Sequence, residues 1–482
     1  MKRLRKALIL THRYLGLPLS LLFMLWFASG ITMIYAGGMP RLTPELRLMR
    51  LAPLDLARVR VMPADLAQQA SGGGDRTTLL TVMDRPAYRV GQATIFADTG
   101  ERLGEVGRGG ALTIASRFTN LPADTLRYVG ELSGPDQWTI AQARQMPLHK
   151  IAVDDGARTE LYVSEQSGEV AVMTTRGSRA LAWVAAIPHW LYFAPLRVNG
   201  RLWQQTVIWL SALGSIFAVL GVVVGILQWR PSTPHIPYAG WMRWHHLGGL
   251  VFGVVTLTWV LSGLLSMDPW AWPSKGPDLD FRGAFGRARD LSRFPPLDAE
   301  AWRPVMAGAA IKEVEYTWIQ DEPYYVVRGD WKSGRLLVAA DTMQTGREPS
   351  SAESLLSRVK NAVPDVSILG WDVLSTYDSY YYQRDGGAAL PVIRIKFGDP
   401  DSTWLYVDPL MNQVVGTFRR YDRLGRWLYH GFHSLDFSFW YYRRPLWDIG
   451  VITLCLGGFA VSSIGFFLGV RRMWRGIRRI AL

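Results

Sequence analysis

His12-Arg13-Tyr14-Leu15-Gly16, followed by Trp26-Phe27-Ala28-Ser29-Gly30, returns at an offset of 233 as His245-His246-Leu247-Gly248-Gly249 and Trp259-Val260-Leu261-Ser262-Gly263. A second block returns at an offset of 244: Leu161-Tyr162-Val163 with Leu405-Tyr406-Val407, Arg179 with Arg423, Trp183 with Trp427, His189 with His433, and Trp203 with Trp447. The chain therefore reads as two copies of one unit, and four of its eight histidines fall at matched positions. One histidine from each copy, twice over, predicts two sites, each ligated from both halves.

The histidines lie inside or beside long apolar runs. Four uncharged stretches, Tyr14 to Pro40, Leu202 to Trp229, Trp244 to Met267 and Ile449 to Val470, meet the roughly 20 apolar residues that a bilayer crossing takes. They are too long and too apolar for core helices of a soluble protein. The first follows Lys2, Arg3, Arg5 and Lys6 and so also has the outline of a signal peptide. Its apolar run exceeds the roughly 7–15 residues of a typical signal core and no small-x-small cleavage site follows, so a retained helix is expected.

The net charge of +13 is confined to a few places. Twelve Lys and Arg and no acid occupy the segments up to Arg13, from Arg230 to Arg243, and from Arg471 onward. Setting those 12 aside from the 53 Lys and Arg leaves the remainder nearly balanced against 40 Asp and Glu. Basic residues at one end of every span follow the positive-inside rule, so the charge marks topology and not a nucleic-acid partner. The expectation is a bacterial inner-membrane protein with four spans and both termini cytoplasmic. The single cysteine, Cys455, lies in the fourth span, which excludes an intramolecular disulfide.

The expected order is a membrane helix over 8–36, an extracytoplasmic α+β domain over 41–178, an interfacial segment over 179–201 and a membrane helix over 202–229. The same order repeats with a helix over 241–267, a second α+β domain over 268–422, an interfacial segment over 423–445, a helix over 446–470 and a basic tail over 471–482. Spans one and three run outward and two and four inward, making parallel repeats about an axis along the membrane normal. Gly214, Gly221 and Gly225 match Gly458, Gly465 and Gly469. Such spacings let helices, or a flat cofactor, approach closely. In the outer segments Pro63 to Ala70 and Glu353 to Lys360 have helical spacing, while Thr78 to Met83, Thr159 to Val163 and Thr403 to Val407 read as strands. Asp98-Thr99-Gly100, Asp155-Gly156, Gly386-Gly387 and Asp399-Pro400-Asp401 mark turns, and 271–300 and 344–352 read as loops.

His12 and His245 fall near the cytoplasmic starts of outward-running helices, at equal depth across the repeat axis, where a ring on the axis can take one imidazole from each side. Gly16 and Gly249 sit one helical turn on, share the helix face and clear space there. His189 and His433 precede matched tryptophans, Trp203 and Trp447, at identical spacing, in aromatic segments expected to lie as helices along the outer interface. A solvated interfacial histidine, or an aromatic belt with an incidental histidine, is the plain alternative for each. His246 competes with His245, or meets a haem propionate. His430, one turn before His433, competes with it on one helix face. His149, in an expected strand, and His235, in a short loop, are expected to be structural.

Imidazole from both sides leaves iron no open position, which favours electron transfer over oxygen chemistry. Two histidines per layer without a nearby Cys or acid make a poor zinc site. The centres of the spans carry no charged residue, which disfavours an ion pump or secondary transporter. No Cys-x-x-Cys-His is present, so any haem is held non-covalently.

These residues, with Ile187-Pro188-His189-Trp190-Leu191-Tyr192-Phe193 and His430-Gly431-Phe432-His433-Ser434-Leu435-Asp436, make the chain resemble the PepSY-associated transmembrane family over nearly its whole length. That family includes membrane siderophore reductases. The resemblance implies PepSY-like α+β domains outside the membrane and, as in the reductase members, two haem b groups in the bundle. It does not specify the substrate.

Two functions are then expected. The first is a di-haem b reductase of a ferric chelate or siderophore on the periplasmic side, with haem iron between His12 and His245 and between His189 and His433. Iron(II) is held less tightly by hard oxygen ligands, so reduction releases the metal. The cytoplasmic segments carry no glycine-rich dinucleotide motif, so the donor is a quinol or a separate electron-donor protein. The second is a membrane-anchored PepSY binding or regulatory module without a chromophore. Besides these, membrane lipid is the one partner the composition itself calls for.

Overall fold

The structure, a computed structural model, describes residues 2–68, 76–91, 93–230, 232, 235–270, 278–285, 290–306, 309–330, 335–383 and 387–480. Gly386 of the expected turn, residues 69–70 of the stretch from Pro63, parts of the 271–300 loop and the end of the basic tail at 481–482 lie outside them. The chain divides into two compact units, one of Met1–Met39, Arg179–Pro273 and Arg420–Leu482, the other of Pro40–Ser178 and Ser274–Arg419.

The first unit is built on four helices long and apolar enough to cross a membrane: α1 (Lys2–Ala36), α2 (Gly200–Gln228), α3 (Gly240–Leu265) and α4 (Leu446–Ile480). α1 and α4 have 35 residues each, about 52 Å of helix against a hydrocarbon core of roughly 30 Å, so both outrun their apolar stretches. The apolar limits at 8 and 470 fall short of the helix ends because Lys, Arg and Leu continue a helix as readily as the apolar run does. α1 packs on α4 and α2, and α3 packs on α2 and α4, which sets α1 and α3 diagonally opposite. Phe23, Phe27, Phe217, Val260, Trp447, Val451 and Cys455 form the buried centre. Leu21, Trp209, Ile216, Val254, Leu456 and Phe467 stay exposed, as on helices that are apolar all round.

Corresponding glycines of α2 and α4 meet corresponding neighbours. A Cβ on Gly225 would lie 2.8 Å from Leu250, and one on Gly469 would lie 2.8 Å from Leu17, the counterpart of Leu250 in the first copy. Gly214 abuts Val260 at 3.0 Å, and Gly458 abuts Phe27, the counterpart of Val260. Helix packing thus accounts for both of these glycine pairs.

The second unit is β-rich, and strand pairing joins its two chain segments. β1 (Thr77–Val82), β2 (Arg85–Val90) and β3 (Ala93–Phe96) form one antiparallel meander, and β8 (Ile311–Ile319), β9 (Glu322–Gly329) and β10 (Leu336–Ala339) form another. β1 pairs with β8, Leu79 opposite Val314, giving one six-stranded sheet in the order β10-β9-β8-β1-β2-β3. Each domain expected from sequence therefore contributes half of a common sheet. The tight turns Met83-Asp84 and Gln320-Asp321 both take positive φ, as two-residue hairpins require. This is why Met83 begins the turn and does not end the strand.

Each segment adds a four-stranded meander. β4 (Leu126–Leu132), β5 (Leu148–Val153), β6 (Glu160–Ser164) and β7 (Val170–Thr174) are the first; β11 (Ile368–Leu374), β12 (Val392–Phe397), β13 (Trp404–Asp408) and β14 (Gln413–Phe418) are the second. The helix Gly107–Thr119 buries Ala111, Ile114 and Ala115 with Ile151 and Leu161, and the helix Ala352–Ala362 buries Leu355 and Val359 with Ile395 and Leu405. Both sheets carry a register shift at the same place, Tyr162/Val163 and Tyr406/Val407. Tyr162 donates to Asp136 at 3.1 Å and Tyr406 to Asp378 at 2.7 Å.

Candidate functional site: two histidine pairs in the bundle

His12 on α1 and His245 on α3 face each other across the bundle diagonal, ring centroids 6.4 Å apart and planes at 36°. Glycines make room for both rings. A Cβ on Gly221 of α2 would lie 2.9 Å from Cε1 of His12, and one on Gly465 of α4 would lie 2.8 Å from Cε1 of His245. Nδ1 of His245 stands 3.1 Å from the Val461 carbonyl. Phe217, the counterpart of Val461 on α2, stacks on His12 with centroids 4.7 Å apart, and Nδ1 of His12 makes no hydrogen bond of good geometry.

Gly16 and Gly249, expected to clear space beside the histidines, do different things. A Cβ on Gly16 would touch the Phe217 ring at 3.3 Å, so Gly16 seats the phenyl that covers His12, whereas Gly249 borders open space. It is His245 that faces His12. His246 is buried elsewhere against Tyr238, centroids 5.4 Å apart, because adjacent helical residues point about 100° apart.

The second pair lies toward the other ends of α1 and α3. His189, in the short helix Ala186–Trp190, and His433, in the turn Phe432–Ser434, have ring centroids 6.0 Å apart and planes at 67°. Ser29 of α1 lies 3.1 Å from Nδ1 of His189, and Ser262 of α3 lies 3.2 Å from Nδ1 of His433. Both hydroxyl protons have backbone acceptors, Leu25 at 2.7 Å and Trp259 at 2.9 Å, so each Oγ accepts from Nδ1–H. The Trp259 carbonyl also lies 3.1 Å from Nδ1 of His433. Gly30 and Gly263 again leave space, a Cβ there falling 3.5 and 3.7 Å from Cε1 of His189 and His433.

The segments carrying these histidines are shorter and more broken than the interfacial helices expected from sequence. Leu191 and Leu435 take the left-handed conformation at φ 54° and 50° and end their helices, a conformation non-glycine residues adopt only when their surroundings impose it. Trp203 Nε1 donates to the Trp190 carbonyl at 2.8 Å and Trp447 Nε1 to the Leu435 carbonyl at 3.2 Å, tying each segment to the helix that follows. Arg426–Gly431 is a π-helical turn. Its wider winding breaks the one-turn face-sharing expected of His430 and His433. His430 packs edge-on against Tyr429 at 4.9 Å, while His433 stacks on Tyr429 and faces His189.

His149 and His235 lie apart from both pairs. His149 is buried in β5, bonded to Tyr128 Oη at 3.0 Å and to Glu165, whose other oxygen accepts the Val106 amide at 2.7 Å. The His149 ring and the backbone amides of Gly107 and Val106 hold the Glu165 carboxyl below its usual range, although burial pushes it up. His235 stacks on Trp229 at 5.6 Å.

A metal between two imidazole nitrogens at about 2 Å each holds the ring centroids roughly 6 Å apart. Both pairs have that separation. In three of the four rings Nδ1–H has an oxygen acceptor, which leaves Nε2 as the lone-pair nitrogen, the tautomer and outer bonding that ligating histidines use. The acceptors Ser29 and Ser262 stand beside Gly30 and Gly263, and this Ser-Gly pair recurring at the first offset is the sequence signal that marks them. No family model matches this chain, and no curated protein matches it.

Proposed function

We propose that this chain is an inner-membrane electron-transfer protein that holds two haem b groups, one between His12 and His245 and one between His189 and His433, and reduces a ferric chelate such as a siderophore on the periplasmic side. The observation that carries this reading is the pair of centroid separations, 6.4 and 6.0 Å, at two depths of one bundle. Haem so held supplies reversible one-electron transfer, the chemistry that reduction of iron(III) requires. The protein's part is to fix ring orientation through the Val461 carbonyl and the Ser29 and Ser262 hydroxyls, to cover His12 with the stacked Phe217 ring, and to leave Nε2 unprotonated. We further propose that the halves are parallel repeats with both termini cytoplasmic, that the β-rich unit is PepSY-like, and that a quinol or a separate protein donates the electrons.

The direct test is the visible spectrum of the full chain purified from haem-replete cells. Sharp reduced-minus-oxidised bands of low-spin haem b are expected at two haems per chain, all extractable by acidic acetone because no thioether link exists. A colourless preparation after haem supplementation refutes the reading and favours the binding-module alternative.

A further inference from the structure

Between α3 and α4 lies an apolar groove of about 550 Å³, bordered by Trp241, Trp244, Gly248, Val251, Gly457 and Ala460. Small residues shape it: Gly248 and Gly457 bring the two helices close, a Cβ on Gly248 meeting Val461 at 2.6 Å and one on Gly457 meeting the Phe252 ring, while exposed Ala460 borders the groove with little bulk. The counterparts in the first copy are Leu15 for Gly248, Leu213 for Gly457 and Ile216 for Ala460. The larger residues belong to α1 and α2, so the duplicated halves differ here in side-chain bulk.

The same helix face continues into charge. Gly457, Ala460, Ile464, Leu468, Arg471 and Arg475 recur on α4 at intervals of three and four, which keeps them on one side. α3 and α4 run antiparallel, Gly248 meeting Val461 and His245 meeting Gly465. Continued along the helices, that pairing brings Trp241 level with about Gly469, and Arg471 and Arg475 follow within about two turns. Arg471, Arg472 and Arg475 are exposed, as are Trp241 and Trp244. On α2 the counterparts of Arg471 and Arg472 are Leu227 and Gln228, and at that end of the α1–α2 pair the basic residues sit on α1, where Arg5 donates to Gln228 at 2.6 Å.

We propose that this groove is a binding site for one anionic phospholipid. Its acyl chain lies along Val251, Gly457 and Ala460, its phosphate meets Arg471 and Arg475, and the indoles of Trp241 and Trp244 sit at headgroup level. An apolar channel on a membrane-spanning helix pair, capped at one end by arginines and aromatic rings, has the polarity profile of a phospholipid. A quinone lacks the phosphate that the arginines call for. The proposal rests on the membrane helices alone and stands whether or not the histidine pairs hold haem.

The test is native mass spectrometry of the delipidated full chain with added phosphatidylglycerol or phosphatidylcholine. Wild type is expected to retain one phosphatidylglycerol in preference to phosphatidylcholine. Arg471→Gln with Arg475→Gln is expected to lose that preference by about fivefold per arginine removed. Ala460→Phe, which fills the groove from an exposed position, is expected to lose retention of both lipids. Excess inorganic phosphate is expected to leave the bound lipid in place. Equal retention of the two lipids by wild type, undiminished phosphatidylglycerol on Ala460→Phe, displacement by phosphate, or a quinone as the retained species would each overturn the proposal.

Discussion

The Oγ of Ser29 lies 3.1 Å from Nδ1 of His189, and Ser262 repeats the contact with His433 at 3.2 Å. At the other depth His245 relies on a backbone carbonyl, that of Val461. Nδ1 of His12 makes no such bond, so one imidazole of that pair is bonded on its far side, whereas both rings of the His189–His433 pair are. An acceptor on Nδ1–H makes Nε2 a stronger donor and favours the more oxidised metal.

Ser29→Ala is accordingly expected to raise the midpoint potential of the haem between His189 and His433 and leave the other unchanged, with haem content intact, and Ser262→Ala to raise it less, because the Trp259 carbonyl still stands 3.1 Å from Nδ1 of His433. A potentiometric titration followed in the visible bands reads this. Unchanged potentials would show that the serines only pack, and a preparation without either haem would remove the basis of the idea altogether.

The four facing histidines divide into two pairs, and substitution should respect that division. His12→Ala and His245→Ala are each expected to remove the same haem, and His189→Ala and His433→Ala the other. His246→Ala and His430→Ala are expected to keep both, since these rings pack on Tyr238 and Tyr429. Haem stoichiometry with EPR of each variant distinguishes the cases. Retention of both haems in all four facing-histidine variants rules out the pairing.

Much of this site was legible in the sequence because duplication supplies a relation that single residues lack. His12 alone is an interfacial histidine, but with His245, Gly221 and Gly465 it defines a geometry. The duplication itself points to His433, since the position matching His430 in the first copy is Ala186; what no spacing rule anticipates is the π-helical turn at Arg426–Gly431 that takes His430 off the face of His433. The six-stranded sheet was equally hidden. Nothing in the patterning of Thr77–Val82 says that its partner strand begins at Ile311, since edge pairing is decided by complementary neighbours that lie far apart along the chain.

Glycines offer a sharper contrast than histidines, because two of them in neighbouring helices have different surroundings. Gly221→Val would place carbon where the His12 ring lies, since even a Cβ comes within 2.9 Å of it. Loss or high-spin conversion of the haem proposed between His12 and His245 is expected, with the one proposed between His189 and His433 unaffected. Gly249→Ala meets nothing within 4 Å and should leave both spectra unchanged while stabilising α3 by about 0.5–1 kcal/mol. Normal spectra for both haems in Gly221→Val would mean that His12 has room the packing does not show.

In the β-rich unit Glu313 on β8 is almost fully buried, with Arg47 at 2.6 Å and Arg328 at 2.8 Å. Burial pushes its carboxyl up, but the charges of Arg47, Arg328 and Arg76 outweigh this and hold it below the usual range. A folded-state value lower than the unfolded one means that the unfolded chain binds the proton more readily. The stabilisation is therefore complete above the ordinary glutamate value of about 4.3 and is lost as pH falls through the lowered folded value. Glu313→Gln is expected to destabilise the sheet at neutral pH by about 3 kcal/mol, the low end for a broken buried pair because the Arg47 side chain is still 31% exposed. It should also flatten the acid limb of the stability curve. Thermal unfolding of the β signal by circular dichroism, for both proteins from pH 7 down to pH 3, measures this. If the two curves stay parallel below pH 5, Glu313 is not the group whose protonation weakens the sheet.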